Sequence, residues 1–103
     1  AQGKPTAPRR GEGGGMTRRQ RELARRALGL PNSKGRSYRN YYLAAYEPGV
    51  FDEWQQMVDA GHADGIPDYG GNYWWFWLTR AGADAALEPG ESLCPEDFPR
   101  SAT

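Results

Sequence analysis

The sequence predicts a small α+β domain built from three helices, one short strand and a β-hairpin. The chain has 103 residues, which is enough for one small domain. A capped amphipathic helix near residue 17 provides the clearest helical signal, and a run of six large residues near residue 73 provides the clearest strand signal. Two further helical patterns flank that run. The expected order is therefore helix, short strand, helix, β-hairpin and helix.

The first helix is predicted between Thr17 and Gly29 because both ends carry capping signals. Thr17 followed by Gln20 forms the pattern of a capping box. Gly29 followed by Pro31 is typical of a helix C-terminus. Helical spacing places the apolar residues on one side and five arginines on the opposite side. These arginines are Arg18, Arg19, Arg21, Arg25 and Arg26.

The segment 38–46 is compatible with either a helix or a strand. Its tyrosines fit helical spacing, whereas its tyrosine and leucine content and the flanking glycines and proline suit a short strand. We favour the strand because a helix at about 51–60 follows directly after the Pro48-Gly49 turn. Residues 62–72 are rich in Gly, Asp, Pro and Asn, which predicts a turn.

The run Tyr73–Leu78 predicts a strand that dominates the core. Five of its six residues are aromatic, and strand alternation places Tyr73, Trp75 and Trp77 on one face. So small a domain cannot easily cover both faces of this strand. We therefore predict that these three residues form an interface with a protein partner or with a second copy of this chain. Thr79 is expected to cap a last helix at 80–87.

The two ends of the chain differ in composition from its middle. Residues 1–15 are rich in glycine and proline and lack large apolar residues, which predicts a disordered basic tail. Residues 16–88 form the predicted single domain. Residues 89–103 are expected to be an irregular acidic tail that lies on the domain through Leu93 and Phe98.

Residues 57–63, the glycine-rich loop and residues 76–87 resemble the end of a bacterial winged-helix domain. In that family a helix ends in a glycine, a β-hairpin wing follows, and its second strand runs into an L-T-x-x-G-x-x-x-L helix. Leu78, Thr79 and Gly82 carry the likeness here. It implies a winged-helix-like fold that contacts DNA. The helix before the wing is acidic, whereas a recognition helix in that family is usually basic. Residues 17–87 also resemble small phage and prophage proteins of GC-rich bacteria, which implies a phage context.

The net charge of zero hides a strong asymmetry along the chain. Residues 1–46 hold eleven of the 13 cationic residues, and residues 47–103 hold eleven of the 13 acidic ones. Clustered arginines match phosphate geometry and gain affinity by releasing counterions. We therefore predict a non-enzymatic protein that binds nucleic acid, with DNA favoured over RNA. The expected contact residues are Arg18, Arg19, Arg21, Arg25, Arg26, Arg36 and Arg39.

Two alternatives to this function stay open. The acidic half or the aromatic surface suits a protein–protein effector, such as a phage inhibitor of a host protein or an assembly component. Tyr38, Tyr41 and Tyr42 alternate with Arg36 and Arg39, which also suits stacking on single-stranded nucleic acid.

Several function classes are excluded by residue counts and motifs. One cysteine, Cys94, excludes an internal disulfide, and one histidine, His62, excludes a histidine-rich metal site. No phosphate loop or nucleophile motif occurs. We therefore expect no catalytic residues, no metal, no cofactor and no enzymatic activity. No apolar run is long enough to span a membrane, and the expected location is the cytoplasm of a bacterial host cell.

Overall fold

Three helices and three strands follow one another in the predicted order. The structure is a computed structural model that describes residues 16–45 and 49–98. Its elements are α1 (Arg18–Leu28), β1 (Tyr42–Ala45), α2 (Val50–Asp59), β2 (Ala63–Pro67), β3 (Tyr73–Leu78) and α3 (Arg80–Ala86). The predicted α+β class is confirmed. The predicted disordered tail, residues 1–15, lies outside the described residues.

Helix α1 begins and ends where its capping residues predict. The Thr17 hydroxyl accepts a hydrogen bond from the Gln20 amide at 3.0 Å, and the Gln20 side chain accepts one from the Thr17 amide at 3.2 Å. Gly29 has a φ of 83°, a left-handed conformation that favours glycine at a helix end. The apolar side of α1 is buried, so the helix is held by packing as well as by its caps.

Only the second half of the ambiguous 38–46 segment is a strand. β1 spans Tyr42–Ala45, and residues 38–41 run along the end of α1 instead. The Tyr38 amide donates to the Leu28 carbonyl at 3.1 Å, and the Tyr41 amide donates to the Ala27 carbonyl at 3.2 Å. These amides satisfy carbonyls that a helix end leaves unpaired. The preference for a strand over a helix is thus confirmed for the shorter range, and Tyr46 lies outside the described residues.

Helix α2 covers the inner face of the sheet. It begins and ends one residue earlier than predicted and buries Trp54 and Met57 completely. The Trp54 ring stacks on Phe76 of β3, with ring centroids 5.2 Å apart. This contact joins the helix to the centre of the sheet and supplies much of the aromatic core.

The prediction of a turn over residues 62–72 was wrong for its first half. Ala63–Pro67 forms β2, which pairs antiparallel with β3 and gives the sheet order β1-β3-β2. Ala63, Asp64 and Gly65 have low strand propensity, so pairing with β3 overrides their local preference. The Phe76 ring lies against Gly65, where any side chain would collide with it.

The predicted alternation of side chains along β3 is confirmed. Phe76 and Leu78 are buried toward the helices, whereas Tyr73 remains 43% exposed on the opposite face. Trp75 and Trp77 share that opposite face and are half-buried. The central strand therefore contributes to the core on one side and to the molecular surface on the other.

Helix α3 closes the domain against the start of β2. The Thr79 hydroxyl accepts from the Gly82 amide at 3.1 Å, which confirms the predicted cap. Gly82 is buried so closely against the His62 backbone that a Cβ there would overlap it. The last position of the winged-helix pattern, a leucine in that family, is the buried Ala86 here.

Residues 91–98 pack on the domain. Phe98 is buried in the main apolar cluster, and Leu93 packs against that cluster. The Ser92 amide donates to the Gly35 carbonyl at 2.9 Å, and Ser92 accepts from the Ser37 amide at 3.0 Å. The expected contact of this segment with the domain through Leu93 and Phe98 is confirmed.

Candidate nucleic-acid interface

The five arginines of α1 do not form the single outer face that the helical wheel predicts. Arg21 and Arg25 point toward α3, and we call them the paired row. Arg21 donates to the Leu87 carbonyl at 3.0 Å, and Arg25 donates to the Ala86 carbonyl at 2.9 Å. Both guanidinium groups thus satisfy carbonyls at the end of α3, a position that favours positive charge. The paired row therefore makes its hydrogen bonds with other groups of the protein itself.

The paired row is also neutralised by carboxylates. Arg25 donates to both oxygens of Glu91 at 2.6 and 2.7 Å, and Arg21 lies 3.2 Å from Glu88. The side chains of Arg25 and Glu91 are only 12% and 13% exposed. Hydrogen bonds from Arg25 lower the pKa of Glu91 from its usual 4.5 to about 2, and the bond to Glu91 raises the pKa of Arg25. Both groups are therefore ionised and matched to each other at neutral pH.

The other three α1 arginines are exposed, and we call Arg18, Arg19 and Arg26 the exposed row. Within residues 16–45 and 49–98, none of them forms an ion pair. The Arg19 guanidinium lies near Gly49, at the start of α2. Charge that is not matched by a neighbouring carboxylate is available to an external anion.

A cluster of two tyrosines and two arginines lies at the end of α1 and includes Arg26 of the exposed row. Arg39 donates through Nε and Nη2 to the Arg26 carbonyl, at 3.3 and 2.7 Å. Its guanidinium carbon lies 5.3 Å from the ring centre of Tyr38 and 5.7 Å from that of Tyr41. Tyr38 and Tyr41 are 62% and 51% exposed. We call Arg26, Tyr38, Arg39 and Tyr41 the tyrosine–arginine cluster.

The backbone fixes this cluster in place. The Tyr38 and Tyr41 amides are bonded to α1, as described above. Between them, the Asn40 side chain accepts from the Leu78 amide at 2.8 Å and donates to the Leu78 carbonyl at 3.0 Å. These bonds fix the backbone that carries the two tyrosines. The backbone of the cluster is therefore ordered before any ligand arrives.

The outer face of the sheet lies next to the tyrosine–arginine cluster. Pairing of the strands places Leu43, Trp75 and Ile66 side by side across all three strands. Leu43 is 45% exposed and Ile66 is 54% exposed. Tyr41 meets Trp75 edge to face, with ring centroids 5.9 Å apart. We call Leu43, Ile66, Tyr73, Trp75 and Trp77 the outer sheet face.

Some of these residues could not be found from the sequence. Leu43 and Ile66 join Trp75 only through strand register, and β2 itself has little strand signal. Asp68 accepts from the Trp75 indole N–H at 2.9 Å and so fixes that ring, again through the geometry of the hairpin. The predicted residues Tyr73, Trp75 and Trp77 do share this face.

Arg36 does not line the cleft that Arg26 and Arg39 share. It is exposed and lines an open cleft together with Lys34 and Tyr38. Of the seven predicted contact arginines, the structure therefore brings Arg26 and Arg39 together, whereas Arg36 lines the cleft that Tyr38 also lines. Arg21 and Arg25 face α3.

The acidic residues show no comparable concentration. Among the described residues, no three His, Cys, Asp or Glu side chains lie close enough to hold a metal ion. Glu53, in the first turn of α2, accepts from the Gln20 side chain at 3.0 Å. No helix in the described parts of the chain has the length and apolar character needed to cross a membrane.

Comparison of this chain with protein families, with curated proteins and with solved structures finds no match. The functional interpretation therefore depends on the geometry of the two adjoining surfaces, the tyrosine–arginine cluster and the outer sheet face.

Proposed function

We propose that this protein is a non-enzymatic nucleic-acid-binding protein that contacts phosphates through its exposed arginines. The observation that carries the proposal is that Arg26 and Arg39 lie together, with the Arg39 guanidinium bonded to the Arg26 carbonyl. Their side chains line one open cleft, and no carboxylate of the described residues lies within ion-pair distance of either. Arg19 adds positive charge on the same side of α1 as Arg26, Arg18 adds it on the neighbouring side, and Arg36 adds it in the cleft that Tyr38 also lines.

The chemistry of arginine supports this proposal. A guanidinium group has five N–H donors in a planar fork, which suits the oxygens of a phosphate. Arg39 uses two donors on the Arg26 carbonyl and keeps three for a ligand. Each phosphate that is neutralised releases condensed counterions, so binding of this kind weakens as salt rises.

The experiment is a titration of labelled DNA and RNA oligonucleotides, single-stranded and duplex, followed by fluorescence anisotropy at several salt concentrations. We expect binding at low salt, with a linear fall of log K against log salt. The double variant R26Q/R39Q should bind more weakly and reduce the slope by about 1.5 to 2. R80Q is the matched control because Arg80 is an exposed arginine paired with Asp84 on α3. Absence of binding at low salt to every oligonucleotide would refute the proposal.

A second candidate function is recognition of a protein partner through the outer sheet face. The observation that favours it is the apolar line of Leu43, Trp75 and Ile66 on the outer sheet face, which runs across all three strands and which no described element covers. Contiguous apolar patches of this kind mark protein interfaces. An affinity capture with and without nuclease separates the candidates, because a protein partner should remain bound after nuclease treatment and should be lost with I66D.

A further inference from the structure

We infer that the nucleic acid bound at the tyrosine–arginine cluster is single-stranded and that its bases stack on Tyr38 and Tyr41. This inference rests on the proposed function and specifies the ligand class. Bases in a duplex are stacked on each other and do not present their flat faces to a protein. Exposed aromatic rings therefore favour unpaired bases.

Both tyrosine rings are accessible and held in place. Tyr38 and Tyr41 are among the most exposed large side chains of the described residues, yet their backbone amides are bonded to the end of α1. The Tyr38 ring contacts Gly29 and has the Arg39 guanidinium over it, so a base would stack on the part of the ring that these two contacts leave exposed. Rings that are already oriented do not lose much conformational entropy when a base stacks on them.

Positive charge lies where the backbone of a stacked strand would pass. The Arg39 guanidinium lies close to both rings, and Arg26 lines the same cleft as Tyr41. Tyr38 also lines a second cleft, together with Lys34 and Arg36. Cations in both clefts beside two exposed rings combine the stacking surface and the phosphate contacts that a single strand requires.

The same structure argues against reading of duplex DNA by α2 in the major groove. The helix before the hairpin, α2, contains no lysine or arginine and has Asp52 and Glu53 in its first turn. Glu53 is bonded to Gln20, and the apolar side of α2 is buried against the sheet. An acidic helix packed in this way is repelled by phosphates.

The adjoining outer sheet face provides a place for a further base. Tyr41 contacts Trp75 edge to face, and the indole of Trp75 is fixed by Asp68. A strand that leaves Tyr41 in this direction would reach Trp75, and the cluster would then hold about two or three bases. Asp64 lies opposite Trp77, and Asp68 accepts from the Trp75 indole, so negative charge limits the favourable surface at these two tryptophans.

The test compares a labelled oligo-dT of about 12 nucleotides with a duplex of equal length. We expect the single strand to bind more tightly, and Y41A to weaken that binding by about fivefold or more. Y41F, which keeps the ring, should retain most of the affinity. Y69A is the control, because Tyr69 is a fully exposed tyrosine in the β2–β3 turn. The salt dependence should be the same for Y41A and the unaltered protein, since no phosphate contact is removed.

A second measurement needs no variant. Binding of oligo-dT to the unaltered protein should quench tryptophan fluorescence, whereas inorganic polyphosphate, which has charge but no bases, should not. Equal or tighter binding of the duplex, or an unchanged affinity for Y41A, would overturn this inference and leave the proposed function standing. Failure of both nucleic acids to bind at low salt would refute both.

Discussion

At the scale of single residues, Arg25 and Glu91 show how one ion pair can fix a whole segment. Glu91 accepts two hydrogen bonds from Arg25 and a third from the Glu88 amide at 2.8 Å. Arg25 in turn donates to the carbonyl of Ala86 at the end of α3. The pair therefore joins α1, α3 and the C-terminal segment at one point. Charge-assisted bidentate hydrogen bonds of this kind are stronger than hydrogen bonds between neutral groups.

The low pKa of Glu91 predicts a specific loss of stability in acid. The folded value of about 2 lies below the usual 4.5, so the unfolded chain takes up the proton first as the pH falls. The stabilisation of the fold by ionised Glu91 is complete above about pH 4.5 and is lost as the pH falls through about 2. We expect E91Q to lower the free energy of unfolding at pH 7 by about 1–2 kcal/mol, allowing for solvent screening, and to remove this part of the pH dependence.

The measurement is urea unfolding at pH values between about 2 and 7, which brackets the two pKa values. The control is D84N, because Asp84 pairs with Arg80 on an exposed helix surface. Such a pair contributes only about 0.3–0.5 kcal/mol. Equal losses of unfolding free energy for E91Q and D84N at pH 7 would show that the Arg25–Glu91 pair stabilises the fold no more than an exposed pair does.

At the scale of elements, the arginines of α1 form two groups with different surroundings. The paired row caps α3 and binds carboxylates, whereas the exposed row forms no ion pair among the described residues. Helical geometry accounts for Arg19 and Arg26, which share one side of α1, and for Arg21 and Arg25, which share another. Arg18 lies on the side of Arg21 and Arg25 and lines a cleft with them, but it forms no ion pair among the described residues. The sequence alone shows five arginines on the polar side and does not show where α3 will pack.

This separation predicts that two arginine substitutions in one helix differ strongly in their effect on the free energy of unfolding. R25Q should lower the free energy of unfolding by about 1–3 kcal/mol, because Glu91 and the Ala86 carbonyl lose their partner. R18Q should change it by less than about 0.5 kcal/mol, since Arg18 is exposed. Thermal and urea unfolding of both variants measure the difference. A destabilisation by R18Q as large as that by R25Q would contradict the assignment of the two rows.

At the scale of the whole molecule, the C-terminal segment is part of the apolar core. Phe98 is only 8% exposed and belongs to the same cluster as Leu28, Trp54 and Phe76. The sequence places the domain boundary at residue 88 because prolines and charges follow it. Two apolar side chains, together with the Arg25–Glu91 pair and the backbone bonds of Ser92, bring the segment back to the domain.

We therefore expect F98A to destabilise the domain by about 3 kcal/mol or more, the usual cost of removing a buried phenylalanine. Urea unfolding measures this change, with P95A as a control at an exposed position of the same segment. A near-neutral F98A would show that the segment does not contribute to the core. The two substitutions lie three residues apart, so general fraying of the segment would affect both.

Much of this architecture follows from local signals in the sequence. Thr17, Gly29 and Thr79 mark helix ends, and the aromatic run marks the central strand, because capping and alternation act within a few residues. The structure departs from prediction where distant parts of the chain compete. Residues 38–41 bind the end of α1 instead of extending β1, and β2 forms because β3 offers it partners. The tyrosine–arginine cluster and the outer sheet face depend on these long-range contacts.

The sheet order also has a consequence for aggregation. The segment Tyr73–Leu78 has the size, β-propensity and lack of charge that favour cross-β assembly. Because β3 lies between β1 and β2, both of its hydrogen-bonding edges are occupied. The strands at the sheet edges are short, and β2 contains Gly65 and Pro67, which are poor templates for another chain. Detachment of either edge strand would expose the backbone of the aromatic strand, so local opening can cause self-association while the rest of the domain stays folded.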